Sequence, residues 1–102
     1  CIKILNLDHN LIGDAGTIAL ANVLETNQHL EELTLRDNNI GFQGAAALAI
    51  LLRVNSTSIK RLDLGNNSIG DDGAIALADV LETNHHLEAL DLRYNNIGLE
   101  GA

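Results

Sequence analysis

Leucines alternate with polar residues in four short stretches of the chain, and the same arrangement of asparagine, isoleucine and glycine follows each stretch. The second stretch is Leu33-Thr34-Leu35, and Asn38 and Gly41 complete it. This period of two predicts a strand with its leucines turned inward. The first leucines are residues 5, 33, 62 and 90, so the intervals are 28, 29 and 28 residues. Such a period predicts a solenoid of stacked units.

After each glycine the apolar spacing changes from two to about 3.6, which predicts that a helix follows the strand. In the first unit we expect this helix over residues 15–26. The predicted inward stripe of the helices consists of Leu20, Leu48 and Leu77, of Val23, Leu51 and Val80, and of Leu24, Leu52 and Leu81. Ile18, Ile50 and Ile75 should be exposed on the opposite face.

One asparagine follows every predicted strand, at Asn10, Asn38, Asn67 and Asn95. An amide side chain can both donate to and accept from the backbone, so a stacked column of asparagines can satisfy the peptide groups of the turns. We therefore assign these four residues a structural role, as a ladder between units. Glycines such as Gly13 and Gly70 fit a turn that a Cβ would resist.

The outward strand positions vary between units in charge and size, whereas the leucine positions barely change. This contrast predicts that the outward side of the strands binds a protein partner. The candidate partner-binding residues are Glu32, Thr34, Arg36, Asp37, Arg61, Asp63, Asp91, Arg93 and Tyr94. We expect Arg36, Arg93 and Tyr94 to be the anchors, because arginine and tyrosine are typical hot-spot residues. The alternative is a solvated face with cross-strand ion pairs, such as Arg36 beside Asp63.

Charge and composition argue against a nucleic-acid partner. The net charge is −8, with six basic residues, and the only aromatic residues are one Phe and one Tyr. Such a chain offers neither a stripe that neutralises phosphates nor a platform on which bases stack. Part of the acidity has a structural explanation, because Asp14, Asp71 and Asp72 lie where helices should begin and carboxylates are favourable there.

No combination of residues predicts catalysis, a metal site or a cofactor. The serines lie in predicted loops without a histidine placed opposite by any pattern. His29 and His86 are two units apart, roughly 10 Å if adjacent layers are about 5 Å apart, which is too far for one zinc ion. The adjacent His85 and His86, next to Glu88, would have difficulty sharing an ion. We therefore expect a protein that is not an enzyme and holds no metal and no cofactor.

The pattern Leu-x-x-Leu-x-Leu-x-x-Asn-x-Ile-Gly-x-x-Gly-(small)-x-x-Leu-Ala-x-x-Leu resembles the ribonuclease-inhibitor-like class of leucine-rich repeats, and the resemblance covers the whole chain. It implies an α/β fold, a right-handed solenoid that forms a horseshoe segment. Parallel strands would form its concave face and helices its convex face. It also implies a largely intracellular, cytoplasmic setting, which the single cysteine, Cys1, favours independently. No stretch approaches the roughly 20 apolar residues of a membrane span.

We interpret residues 1–102 as a single leucine-rich-repeat domain excerpted from a longer array. Its units begin near residues 2, 30, 59 and 87, and the last unit lacks its helix. The extra residue of the 29-residue interval should fall between Arg53 and Ser58. An alternative to the excerpt is a chain whose ends stack on other chains.

The function that we expect is that of a non-catalytic protein–protein interaction module, which binds its partner mainly on the concave face. The resemblance also allows the regulation of an enzyme, as a Ran-type GTPase activator or a ribonuclease-inhibitor-like inhibitor, and no residue selects either. A third alternative is a purely structural spacer.

Overall fold

Strands and helices alternate along the chain in the computed structural model, which describes residues 3–25, 29–53, 59–81, 87–93 and 95. The elements are β1 (Ile4–Asn6), α1 (Gly13–Leu24), β2 (Glu32–Thr34), α2 (Phe42–Arg53), β3 (Arg61–Asp63), α3 (Gly70–Leu81) and β4 (Ala89–Asp91). The strands form one parallel sheet in the order β1-β2-β3-β4. Helix α2 packs against both α1 and α3. This is the predicted α/β solenoid.

The register of the sheet follows the repeat of the sequence. Leu33 of β2 lies opposite Leu5 of β1 and Leu62 of β3. Each strand has only three residues, but backbone hydrogen bonds between units continue beyond the strands. The N–H of Leu35, for example, donates to the carbonyl oxygen of Asp63 at 2.8 Å. The loops that follow the strands are therefore joined from unit to unit as well.

The core lies between the sheet and the helices, and aliphatic side chains fill it. Its fully buried residues include Leu33, Leu35, Ile40, Leu48, Leu64 and Leu77. The corresponding leucines of β1 and β4 are half-buried, because each of these strands has a neighbour on only one side within the described sheet. The middle two units therefore contribute most of the buried apolar surface.

Two residues of the predicted inward stripe lie on the surface, and the prediction is wrong for both. Val23 is 69% exposed and Leu81 is 42% exposed, whereas their counterparts Val80 and Leu52 are buried. The pattern of burial indicates that the Val23 column faces the preceding helix and the Leu81 column faces the following one. Among the described residues, α1 has no preceding helix and α3 has no following one, so nothing covers these two side chains.

The predicted outer face of the helices is confirmed. Ile50 is 54% exposed, and Ile18 and Ile75 are exposed as well. The start of α1 differs slightly from the prediction of residues 15–26, because its first turn already includes Gly13. The position of the extra residue, expected between Arg53 and Ser58, lies outside the described residues.

Two kinds of glycine shape the transition from strand to helix. Gly13 and Gly70 have φ of 69°, in the left-handed region that glycine adopts without a steric penalty. Gly73 instead permits a close approach, because a Cβ there would lie 3.2 Å from the Cβ of Ala45 in α2. Gly73, three residues after Gly70, thus lets α2 and α3 pack closely.

Candidate functional site

The buried asparagines join each loop to the loop of the preceding unit. Oδ1 of Asn67 accepts hydrogen bonds from the backbone N–H groups of Asn38 and Ile40, at 2.9 and 3.0 Å. Its Nδ2 donates to the carbonyl oxygens of Leu35 and Leu64, at 3.0 and 2.9 Å. The side chain of Asn38 makes corresponding bonds to the loop of the first unit. Each of these asparagine side chains therefore forms hydrogen bonds with backbone groups of its own unit and of the preceding unit.

The asparagine column differs between its buried members and its first member. Asn38, Asn67 and Asn95 are at most 6% exposed, so their amides are not presented to a ligand. Asn10 is exposed, and its Nδ2 donates within its own loop, to the carbonyl oxygens of Leu7 and Asp8 at 2.8 and 3.1 Å. The column therefore serves to hold the turns together.

The backbone adopts the left-handed conformation at the same loop position in three units. His9, Asp37 and Asn66 have φ of 61°, 57° and 54°, and histidine, aspartate and asparagine tolerate this region better than most residues. The exposed His9 and Asp37 also contact each other, with Nδ1 2.7 Å from Oδ2. The left-handed backbone at this position therefore partly explains why the candidate residue Asp37 is an aspartate.

Arg36 connects three strands on the outward side of the sheet, which we call the sheet face. Its Nη1 lies 3.2 Å from Oδ1 of Asp63 and 3.7 Å from Oδ2 of Asp91. Gly65 makes room for this arrangement, because a Cβ there would collide with the Arg36 guanidinium. The cross-strand pair that the sequence suggested between Arg36 and Asp63 is present. With 28% of its side chain exposed, Arg36 is largely engaged within the chain.

Asp91 is held by the residue two positions further along. Nε of Arg93 lies 3.1 Å from its Oδ1, Nη2 lies 2.8 Å from its Oδ2, and the Arg93 backbone N–H donates to Oδ1 at 3.0 Å. The side-chain hydrogen bond from Arg93, and then its backbone bond, lower the pKa of Asp91 below the usual aspartate value. Burial partly opposes this effect, and the charges of Arg93 and Arg36 lower the pKa further by smaller amounts. Asp91 therefore remains charged to a lower pH than an ordinary aspartate.

Thr34 differs from the residues at the corresponding strand position of the other units, Asn6, Asp63 and Asp91, in its hydrogen bonding. Asn6, Asp63 and Asp91 each accept a hydrogen bond from the backbone N–H two residues later. In the second unit, the corresponding N–H of Arg36 donates to Oδ1 of Asp8 at 2.8 Å instead. Oγ1 of Thr34 is buried and has no hydrogen-bond partner within the described structure. Its hydroxyl therefore contributes no bond that the fold requires.

Arg61 presents its charge to solvent. The side chain is 63% exposed, and Nη1 lies 3.0 Å from Oε1 of Glu32. The register places Arg61 opposite Glu32 of β2 on one side and opposite Ala89 of β4 on the other. The β4 residue in register with Arg61 therefore carries no carboxylate, although Glu88, the residue before it, lines a second and smaller depression together with Arg61.

Six of the nine candidate partner-binding residues surround one open depression of about 550 Å³ on the sheet face. They are Glu32, Thr34, Arg61, Asp63, Asp91 and Arg93. The short side chain of Ala89 also lines this depression, and sequence reasoning did not select it. The sequence did contain an indication of this role, because Ala89 is a small residue at a strand position where the preceding units carry Glu32 and Arg61. Arg36 and Asp37 are not among the lining residues, and Tyr94 lies outside the described residues.

Sequence reasoning also missed the role of Asp14. Its Oδ1 accepts hydrogen bonds from the N–H groups of Gly41 and Gly44, at 2.7 and 2.9 Å, so it caps the helix of the following unit. Helix α2 has no acidic residue in its own first turn. The sequence indicates this need for a cap from another unit, because Phe42 stands at the position that an aspartate, Asp14 or Asp71, occupies in the neighbouring units.

The sites that the sequence disfavoured can be compared with the structure only in part. No group of three or more His, Cys, Asp or Glu residues within the described ranges is arranged to hold a metal ion. His85 and His86 lie outside those ranges. In the described part of the chain, no helix combines the length and the apolar character that crossing a membrane requires.

The comparison with known families agrees with this architecture. The family described as Leucine Rich repeat matches residues 1–21, 26–49, 55–78 and 83–102, one match for each unit and together most of the chain. Proteins built from such repeats generally mediate protein–protein interaction and are typically not enzymes. The repeated leucines, the parallel sheet and these four matches lead to one conclusion: the chain belongs to the leucine-rich-repeat family.

Proposed function

We propose that this chain is a non-catalytic interaction module that binds a protein partner on its sheet face. The observation that carries the proposal is the depression there, since six residues selected for their variation between units line it together. The solenoid itself requires the repeated leucines and asparagines. It does not require the outward strand positions to differ in charge between units, as Glu32, Arg61 and Ala89 do.

The candidate residues divide into two groups by exposure. Arg61 and Arg93 are 63% and 71% exposed, and they are the side chains that a partner would meet first. Arg36, Asp63 and Asp91 are about a quarter exposed, and Arg36 contacts both carboxylates. The ion pairs of this second group would keep its side chains in fixed positions. Fewer side chains would then have to be ordered when a partner binds.

The ribonuclease-inhibitor-like subclass and an intracellular location belong to the same proposal. The intervals of 28 and 29 residues support the subclass. The single cysteine supports a reducing compartment.

The test compares one variant on each side of the solenoid. Arg61→Ala changes the sheet face, and Asp79→Ala changes an exposed residue on the outer side of α3. The exposed Arg61–Glu32 pair contributes at most about 1 kcal/mol, so both variants should fold, which circular dichroism checks. Proteins retained by the immobilised chain are identified by mass spectrometry, purified and measured by calorimetry.

We expect Arg61→Ala to raise the Kd about tenfold or more, as an arginine hot spot does. Asp79→Ala should change the Kd by less than about twofold. A partner whose affinity falls with Asp79→Ala and is unaffected by Arg61→Ala would place the binding surface on the helices and contradict the proposal.

A further inference from the structure

We propose that the depression on the sheet face receives an acidic segment of the protein partner, and that Arg61 binds a carboxylate of that segment. This inference rests on the proposed function, because it names the chemistry of the partner at the same surface. The acidic and the basic groups around the depression differ in how far they are already paired within the chain.

The carboxylates of the depression are engaged within the chain. Asp63 accepts hydrogen bonds from the N–H of Gly65 at 2.9 Å and from Arg36 at 3.2 Å. Asp91 is held by the side chain and the backbone of Arg93. Both side chains are only 27% exposed. A basic segment of a partner would therefore have to compete with ion pairs that already exist.

The arginine at the edge of the depression is in a different situation. Arg36 has a carboxylate on each of the next two strands, Asp63 and Asp91. Arg61 has Glu32 on β2, but on β4 the register places Ala89 beside it. Neighbouring strands are about 4.8 Å apart, and Arg61 and Ala89 line the same depression.

A carboxylate suits this space better than other groups do. The guanidinium carries five N–H donors in a planar fork that matches a carboxylate, and the contact with Glu32 involves only Nη1. A partner carboxylate above Ala89 would give Arg61 what Arg36 already has, an acidic group on both sides. Screening at physiological salt, with a Debye length of about 8 Å, weakens the repulsion from the distant part of the net charge of −8. Asp63 and Asp91, which line the depression, are already paired with arginines.

The probes are three synthetic decapeptides, of glutamate, glutamine and lysine, titrated into the ¹⁵N-labelled chain and followed by NMR. We expect decaglutamate to shift the amide signals of Arg61 and Ala89, and the other two peptides to leave them unchanged. Arg61→Ala should raise the Kd of decaglutamate about tenfold or more. Arg53→Ala removes an exposed arginine at the end of α2, away from the depression, and should leave the Kd within about twofold.

A second pair of variants tests the position of the carboxylate. Ala89→Glu supplies an acidic group from within the chain, beside Arg61, and should abolish decaglutamate binding. Ala89→Gln has nearly the same size without the charge, and should retain binding within about threefold. Because Ala89 is exposed, both variants should keep the fold, and their NMR spectra show whether they do.

Three results would overturn the inference: no shift at Arg61 and Ala89, equal binding of decaglutamine or decalysine, or equal competition by inorganic phosphate, which would indicate a general anion site. The outcome is separable from that of the proposed function. A natural partner that loses affinity with Arg61→Ala, while decaglutamate does not bind, would reject the acidic segment and leave the sheet face as the interface. A partner insensitive to Arg61→Ala would reject the interface itself.

Discussion

The asparagine column and the sheet face both join neighbouring units through polar side chains, but they do so with different partners. Asn38 and Asn67 bind backbone N–H and carbonyl groups of adjacent loops. Arg36 binds the carboxylates of Asp63 and Asp91. The first arrangement occurs again in every described loop between units. Pairs between side chains involve different residues at each place, as the pairs Arg61–Glu32 and His9–Asp37 show.

The difference follows from what each side chain contacts. Backbone groups are the same in every unit, so an asparagine that binds them works equally well at each layer. A side-chain partner depends on the residue that the next unit happens to carry, as Arg36 depends on Gly65 for space. Contacts between side chains therefore vary along the solenoid, and variation is what a surface for one particular partner requires.

The strongest test of this comparison is Asn67→Leu. The substitution removes the acceptor for the N–H groups of Asn38 and Ile40 and the donor to three carbonyl oxygens. Each buried polar group left unpaired costs about 1–3 kcal/mol. We therefore expect the loss of most of the free energy of unfolding, measured by thermal and urea denaturation.

The matched control is Asn10→Leu in the same column. Asn10 is exposed and its amide donates within its own loop, so water can replace what the substitution removes. We expect a loss of no more than about 1 kcal/mol. Equal losses for the two variants, or a melting temperature of Asn67→Leu within about one degree of the wild type, would contradict the ladder.

Two threonines provide a smaller test, because each can be replaced by the nearly isosteric valine. Oγ1 of the buried Thr17 donates to the carbonyl oxygen of Gly13 at 2.7 Å, so Thr17→Val should cost about 1 kcal/mol. Oγ1 of Thr34 has no partner within the described structure, so Thr34→Val should leave stability unchanged or raise it slightly. Urea denaturation of both variants distinguishes them, and a larger loss for Thr34→Val would show that its hydroxyl is bonded.

Leu11 departs from the loop pattern, and correcting it should stabilise the chain. It has φ of 51° and is 84% exposed, whereas Asn39 holds the same position in the next unit with φ of 57°. Leucine tolerates this region poorly, at a cost of about 1–2 kcal/mol, and asparagine is one of the residues that adopt it. Leu11→Asn should therefore raise the free energy of unfolding by up to about 1 kcal/mol, and Asn39→Leu should lower it similarly. No change in either variant would indicate that this loop does not hold the conformation described.

The smallest effect concerns Asp91 and pH. Its pKa is lowered in the folded chain, chiefly by Arg93, so the contribution to stability is complete above the ordinary aspartate pKa of about 3.9. This contribution is lost as the pH falls through the lowered value. Arg93→Gln should move the pKa of Asp91 upward and reduce the loss of stability on acidification. An NMR titration of the Asp91 carboxyl carbon checks the first point, and an unchanged pKa would exclude the pairing with Arg93.

The sequence predicts whatever the repeat itself determines. The spacing of the leucines predicts the strands and their register. The helical period of 3.6 residues predicts that Ile50 is exposed. Exposure of Val23 and Leu81 was predicted wrongly, because burial in a solenoid depends on whether a neighbouring unit covers the side chain. The candidate residues could be chosen from their variation, but the space beside Ala89 arises only when three strands are in register. The engagement of Arg36 likewise depends on a neighbour 29 residues away.

Asp14 gives the array a direction in which local opening would spread. When α1 detaches, Gly41 and Gly44 lose their acceptor, so the first turn of α2 loosens although nothing in the second unit has changed. Helix α3 carries Asp71 and Asp72 in its own first turn, and Phe42 supplies no carboxylate from the unit before. Opening that begins at the first unit should therefore loosen the first turn of α2 without removing a capping carboxylate from α3. Amide hydrogen exchange would then show two zones, with α1 and the start of α2 opening together and α3 separately. The replacement of the acid by Phe42 thus removes this capping contact from the junction between α2 and α3.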